Sequence, residues 1–407
     1  MRDKILLIVD IKQATPRWKN YLEQLVLNDF EVHLLVHYSS RSEIRQDMLS
    51  NKGLFIFYSK FVSLYGRNRF LSRVLRIISN FSKPKRQQDL YEIVAGYMFY
   101  RKARTLFQEY QYHTVITSSS PFYCHIVGAK LRKKFKFSWI ADYRDLWSAN
   151  HVNGRQDKTM LEYERYILNA ADACITVSKG LRNDLRKVYN GPIHVIYNGY
   201  HLLNKTKAIV YSKKCKVEYT GQIYSQFQNL KDPLTFFENS PIARELDVTI
   251  TFSGLSSSYV SSYFRSKSRK LPGFIKTIGQ LSNEEAIMRQ QNANFLLFLN
   301  WNSNDDRGVI PSKIFEYISS GIPIIISGNT NDSELKQIIL KSGYQLEMNT
   351  QQDLNNILLQ YKLGNLDIPL RNENFIYNFQ YSQQVKSIIS VIQDPSVEVV
   401  SVALSQF

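Results

Sequence analysis

A chain of 407 residues with 44% hydrophobic content is long enough for two domains, each with its own core. No apolar run approaches the roughly 18 residues of a spanning helix, and Cys124, Cys174 and Cys215, odd in number and far apart in sequence, show no metal-ligand spacing and suit a reducing compartment. A formal charge of +17 leaves three classes of partner: nucleic acid, an anionic membrane surface or phosphorylated substrates.

In chain order, Ile5 to Val9 is an apolar run too short for a signal peptide and closed at once by Asp10, so a buried strand is predicted. The glycine-free loop Asp10 to Arg17 follows, then a helix from about Trp18 to Leu27 and a strand from Phe30 to His37. This β-α-β opening implies a parallel sheet with ligands at the carboxyl ends of its strands. Between Lys60 and Arg104 stand eleven basic residues against two acids, Asp89 and Glu92. Phe70, Leu71, Val74, Leu75, Ile77, Ile78 and Phe81 recur there at near-helical spacing. Such a stretch suits an anionic membrane face at roughly 1 kcal/mol per basic residue; the alternative is a basic surface with an ordinary core-facing stripe. It carries no recognised nucleic-acid reading module, and no nucleic-acid partner is expected.

Strands are next predicted at His113 to Thr117 and Phe137 to Ala141, with a helix carrying His125 and Gly128 between them. The second strand runs into Asp142-Tyr143-Arg144-Asp145-Leu146-Trp147, which sets carboxylates, a guanidinium and an indole at a strand end where a sugar hydroxyl could be met. The plainer reading is an Arg–Asp pair closing a loop. For His125 the alternatives are a core histidine and an acceptor-site base. A helix at Glu162 to Ala170, a strand at Ala173 to Val177, a helix at Lys179 to Val188 and a strand at His194 to Tyr197 lead to Asn198-Gly199-Tyr200-His201.

The polar segment Leu202 to Lys214 reads as a linker, after which the alternation restarts. Strands are predicted at Lys216 to Thr220, Asp247 to Phe252, Phe274 to Ile278 and Asn294 to Leu299. Gly221-Gln222 follows the first of them, and Lys231-Asp232-Pro233 opens a helix. Gly308 and Pro311 then end a loop, Ser312 stands where a helix N-cap is wanted, and Gly321 stops the helix before the all-apolar strand Ile322 to Ile326. Lys313 thereby sits beside free backbone N–H groups, an anion-binding arrangement, and Glu316 lies one turn further on. Helices near Ser333 to Lys341, Gln351 to Tyr361 and Tyr377 to Ile392 complete the chain.

The run Lys-Ile-Phe-Glu-Tyr-Ile-Ser-Ser-Gly-Ile-Pro-Ile-Ile from Lys313 resembles the donor-site motif of family 4 glycosyltransferases, retaining enzymes of the GT-B architecture. The segment from Asp142 to Trp147 resembles a second motif of that family, Asp-x-Arg-Asp-x-Trp. The resemblance implies an α/β fold of two Rossmann-like, doubly wound parallel-sheet domains facing across a cleft. Residues 1–201 would bind acceptor and 202–372 the nucleotide sugar, with 373–407 a helix crossing back and a tail. For the donor, UDP- or GDP-linked, it implies Gly221, Gln222, Lys231, Asp305, Asp306, Pro311, Ser312, Lys313 and Glu316, the last on the ribose. Arg17, Arg144 and Trp147 fall to the acceptor, and Asp142, Asp145, His125 and Lys313 to catalysis. No metal and no cofactor are expected; adjacent Asp305-Asp306 is not the spaced Asp-x-Asp of the other glycosyltransferase fold. The implied role is sugar transfer to a lipid-linked or polysaccharide acceptor in bacterial surface-glycan synthesis, at the cytoplasmic membrane face. Two departures stand out: Gly308 where the family commonly has a second Glu, and His201 where relatives have Asp. The alternatives are a degenerate nucleotide-sugar-binding or partner-binding relative and a nucleotide-sugar epimerase.

Overall fold

A computed structural model describes residues 2–9, 17–37, 53–59, 85–119, 121–148, 158–209, 211–267, 269–300, 308–328 and 333–396, with 85–93 and 159 as backbone only. Most of loop 10–17, most of the basic stretch, and Asp305 and Asp306 lie outside these residues. The chain divides into two compact units, Met1–Asn198 with Tyr381–Phe407, and Gly199–Gln380.

The first unit holds a seven-stranded parallel sheet in the order β3-β2-β1-β4-β5-β6-β7. Its strands are β1 (Lys4–Ile8), β2 (Glu31–His37), β3 (Leu54–Ser59), β4 (Thr114–Ser119), β5 (Ser138–Tyr143), β6 (Ala173–Thr176) and β7 (Ile193–Val195). The helices are α1 (Arg17–Leu27), α2 (Lys85–Glu109), α3 (Tyr123–Arg132), α4 (Lys158–Leu168) and α5 (Lys179–Leu185). Successive side chains of a strand point to opposite faces, and β1 feeds two cores. Ile5 and Leu7 join Trp18, Tyr21, Leu22 and Leu25 of α1, whereas Leu6 and Ile8 join Phe99 and Leu106 of α2 and Val127 and Leu131 of α3. Burial on both faces is why the strand reads as a continuous apolar run. Gly128 lets α3 lie against Trp139, since a side chain there would meet the indole at 2.5 Å.

The second unit holds a six-stranded parallel sheet in the order β10-β9-β8-β11-β12-β13. These are β8 (Lys216–Thr220), β9 (Thr249–Ser253), β10 (Ile275–Ile278), β11 (Phe295–Leu299), β12 (Ile324–Ser327) and β13 (Gln345–Met348). Helices α6 (Lys231–Asn239), α7 (Pro241–Glu245), α8 (Leu255–Ser266), α9 (Asn283–Gln291), α10 (Lys313–Ser320), α11 (Glu334–Ser342), α12 (Gln351–Leu363) and α13 (Glu373–Tyr377) accompany them. Strand β11 is apolar throughout and β12 is apolar up to Ser327, but β8, β9 and β10 alternate. Val217, Tyr219, Ile250, Phe252 and Ile275 enter the core, and Lys216, Glu218, Thr249, Thr251 and Lys276 point the other way.

The last helix, α14 (Tyr381–Gln393), returns to the first unit. Its Tyr381, Val385, Ile388 and Val391 share a core with α1, and Tyr381 meets Tyr21 edge-on at 5.5 Å. The returning segment begins after Gln380 rather than at 373, because α13 belongs to the second unit. Phe375 and Phe379 are buried there, and Phe379 packs on Phe315 of α10 with ring centroids 5.0 Å apart.

Candidate active site

Strand β8 ends at Thr220, and two bonds fix that end. The Thr220 amide donates to Tyr317 Oη of α10 at 2.9 Å, and Gln290 Nε2 of α9 donates to Thr220 Oγ1 at 3.0 Å. Gly221 then turns with φ +104°, a left-handed conformation that favours glycine. A side chain at Gly221 would stand 3.8 Å from Lys313 Nζ. So the carboxyl end of β8 and the first residue of α10 are in contact, as the opening of the helix demands of a ligand loop.

Lys313 is held by Gln222, one of the expected donor residues, and by Tyr219, which the sequence did not single out. Its ammonium donates to Tyr219 Oη at 2.5 Å and to the Gln222 carbonyl at 3.2 Å, and it lies 4.0 Å from the Tyr219 ring centroid. Tyr219 in turn donates to the same carbonyl at 2.8 Å. Burial pushes the Lys313 ammonium down to about 7, opposed by Glu316. Burial also raises the Glu316 carboxyl, opposed by Gln290 and Lys313. The pair is poised to respond to an arriving anion.

Titration gives one prediction. Above neutral pH the free Lys313 is largely uncharged, whereas a bound diphosphate favours the charged form. Binding of a nucleoside diphosphate therefore takes up a proton, and affinity falls as pH rises from about 7 to about 9. Calorimetry in two buffers of different ionisation enthalpy measures that uptake. Identical heats and a flat affinity across this window contradict the assignment.

Ser312 departs from its expected role. Its backbone is helical, with φ −57° and ψ −30°, and its side chain makes no capping bond. Ser178, by contrast, is extended and accepts from the Leu181 amide at 3.1 Å as a true cap of α5. Ahead of α10 the tight turn does the capping: the Ile314 and Phe315 amides bond the carbonyls of Pro311 and Ser312. The Ser312 and Lys313 amides make no hydrogen bond among the described residues and remain available to an anion.

Lys231 is not brought into this group. It is exposed at the start of α6, where Asn229 Oδ1 accepts its amide at 2.9 Å. Its side chain lines a separate hollow of about 360 Å³ with Tyr259 and Tyr263, whose walls include neither Gly221 nor Lys313. Gly308 has φ +74°, a left-handed turn.

At the strand ends of the first unit, burial corrects three expectations. Asp142 is fully buried and accepts from Trp18 Nε1 at 2.8 Å and Ser118 Oγ at 2.7 Å. Arg17 is 2% exposed, faces Asp142 at 3.4 Å and lies over the Tyr21 ring. His125 is 0% exposed, bonds Thr117 Oγ1 at 2.8 Å and stacks on Tyr143; burial pushes it down to about 3, which fits a neutral core histidine better than a base. Asp142 and Arg17 form an interior ion pair rather than surface contacts for an acceptor. Among the described residues the guanidinium nitrogens make no hydrogen bond of good geometry beyond this ion pair.

The rest of the motif faces outward. Asp145 is exposed. Arg144 is half-buried and donates to the Ser119 carbonyl at 3.2 Å, and burial lowers its pKa. Trp147 stacks on Phe122 at 5.0 Å and meets Tyr163 edge-on at 5.6 Å.

The model of Glycosyltransferase Family 4 matches residues 17–202, the stretch that holds most of the first unit. No curated protein matches the chain significantly. Among solved structures, sucrose-phosphate synthase from Thermosynechococcus elongatus superposes with a TM-score of 0.62 at 15% identity, covering 100% of this chain and 97% of that one. Anabaena HepE in complex with UDP and glucose gives 0.59 at 13%, covering 96% and 100%. The lipopolysaccharide outer core galactosyltransferase WaaB in its apo form gives 0.57 at 13%, covering 97% and 100%. At such identities the likeness establishes the fold, two parallel-sheet α/β units of the GT-B kind. The family match on one unit and the architecture of both support a glycosyltransferase.

Proposed function

We propose that this protein transfers a sugar, with retention of configuration, from a UDP- or GDP-linked donor to a lipid-linked or polysaccharide acceptor in bacterial surface-glycan synthesis. The observation that supports it most is the meeting of Lys313, Gly221 and the free amides of Ser312 and Lys313 at the carboxyl end of β8, with Glu316 one turn along α10. When the donor's glycosidic bond breaks, negative charge grows on the departing diphosphate and the sugar becomes oxocarbenium-like. The Lys313 ammonium and the two amides stabilise that charge once the ammonium turns from the Gln222 carbonyl to the diphosphate. Glu316 accepts from the ribose hydroxyls. Asp305 and Asp306 take over the sugar contact that Gly308 gives up. Asp145, with Arg144 and Trp147, serves the acceptor.

The test is a thermal-shift panel of UDP- and GDP-sugars, followed by turnover assays with glycolipid acceptors. The reading expects a stabilising donor, a glycosylated product, and a rate unchanged by EDTA because Lys313 supplies the cationic charge. Binding without turnover or donor hydrolysis favours a degenerate relative, and product from donor alone favours an epimerase.

No helix among the described residues is long and apolar enough to cross a membrane. The basic stretch 60–104 is proposed to hold the protein to an anionic surface. Changing Arg69, Arg73 and Arg76 to Glu then abolishes sedimentation with anionic vesicles; a wild-type protein that never sediments removes this part of the proposal.

A further inference from the structure

The alternation in β8, β9 and β10 is unexpected in a parallel sheet, whose strands are ordinarily apolar on both faces. Register places Glu218, Thr251 and Lys276 in one row across the three strands, and Lys216 beside Thr249 in the next. These side chains floor a cavity of about 720 Å³, within the roughly 300–1,000 Å³ typical of small-molecule sites. One stripe of α9 walls it, with Glu285, Met288, Arg289 and Asn292 at helical spacing. All of it belongs to the second unit, away from the Lys313 loop.

Three features define what fits. The ammonium groups of Lys214, Lys216 and Lys276, all exposed on this cavity, make no ion pair or hydrogen bond among the described residues and call for an anion. The Glu218 side chain is only 7% exposed; Arg289 meets its Oε1 at 3.3 Å and Thr251 stands beside the carboxylate, but its Oε2 makes no hydrogen bond of good geometry among the described residues. A carboxylate accepts and does not donate, so the ligand must bring a donor, which a sugar hydroxyl supplies. No aromatic residue lines the cavity, so a nucleobase would have nothing to stack on.

We infer that this groove is a second ligand site, for a phosphorylated sugar, with the phosphate on Lys216 and Lys276 and a sugar hydroxyl on Glu218. The inference goes beyond the donor reading and does not depend on it. The two sites are nevertheless neighbours along α9, since Gln290, next to Arg289, bonds Thr220 at the donor loop.

The test is calorimetric titration of the full chain with glucose 6-phosphate, with glucose and inorganic phosphate as separate probes. Wild type and Lys313→Ala should bind glucose 6-phosphate alike. The double variant Lys216→Ala/Lys276→Ala, altered at exposed positions that do not jeopardise folding, should bind it at least tenfold more weakly. Glu218→Gln should lose the preference for glucose 6-phosphate over phosphate. No saturable binding of glucose 6-phosphate overturns the inference, as does binding that survives the double variant. Binding lost in Lys313→Ala but kept in the double variant assigns the sugar phosphate to the donor loop instead, and also overturns it.

Discussion

Lys313→Ala is expected to lower the transfer rate by roughly 10²–10³-fold, the usual loss when one fixed donor to a developing oxyanion is removed. The protein should stay folded, because Lys313 caps no core and its partners, Tyr219 Oη and the Gln222 carbonyl, keep their own 2.8 Å bond. Lys313→Arg restores charge but not shape. A guanidinium set over the Tyr219 ring cannot place a point charge 3.2 Å from the same carbonyl, so only partial rescue is expected. Tyr219→Phe loosens the lysine without discharging it, and its smaller effect should appear in kcat more than in KM. A Lys313→Ala rate within threefold of wild type shows that the charge on the leaving group is met elsewhere.

The second large effect concerns Glu316. Glu316→Ala should weaken nucleoside diphosphate binding by about 10–100-fold, the loss of a charge-assisted hydrogen bond of roughly 1.5–3 kcal/mol. Inorganic pyrophosphate, which has no ribose, should bind the variant as it binds wild type. One confounding effect has a known sign. Glu316 raises the pKa of Lys313, so its removal lets the lysine discharge at a lower pH. Titrations well below neutral pH, where the lysine is charged in both proteins, separate the ribose contact from this indirect effect. Equal weakening of nucleotide and pyrophosphate would assign Glu316 to the lysine alone.

The legible parts of the fold were those buried on both faces. Strands β1, β11 and β12 announce themselves as unbroken apolar runs, and Gly321 marks the end of α10 because its φ is +76° and a side chain would meet the Lys205 carbonyl at 2.3 Å. Of the four edge strands among the described residues, β7 and β10 were predicted but β3 and β13 were not. Strand β3, paired on one side only, has a mostly half-exposed pattern, and β13 is four residues long with Glu347 outward. Strand β13 is too short for a period to show, and β3 with Leu54, Phe55, Ile56, Phe57 and Tyr58 in a row has no alternation to read.

The site was legible where spacing along one helix decides it, as with Lys313 and Glu316. It was not legible where distant segments decide it. The sequence shows Asp142 after a strand, but not that Trp18, 124 residues earlier, fills its carboxylate. Nor does a serine ahead of a helix reveal whether it is extended, like Ser178, or already helical, like Ser312. Tyr219 looked like one more strand residue, and Gln290 like one more polar residue on a helix face. The alternating strands β8 to β10 could have been read directly, because three neighbouring strands with one polar face mark a part of the sheet left open.

The most direct test is a crystal structure of the protein with a bound nucleoside diphosphate. The account predicts the diphosphate within hydrogen-bonding distance of Lys313 Nζ and of the Ser312 and Lys313 amides, with the ribose hydroxyls on Glu316. A nucleotide held elsewhere, with Lys313 still bonded only to Tyr219 and the Gln222 carbonyl, contradicts it.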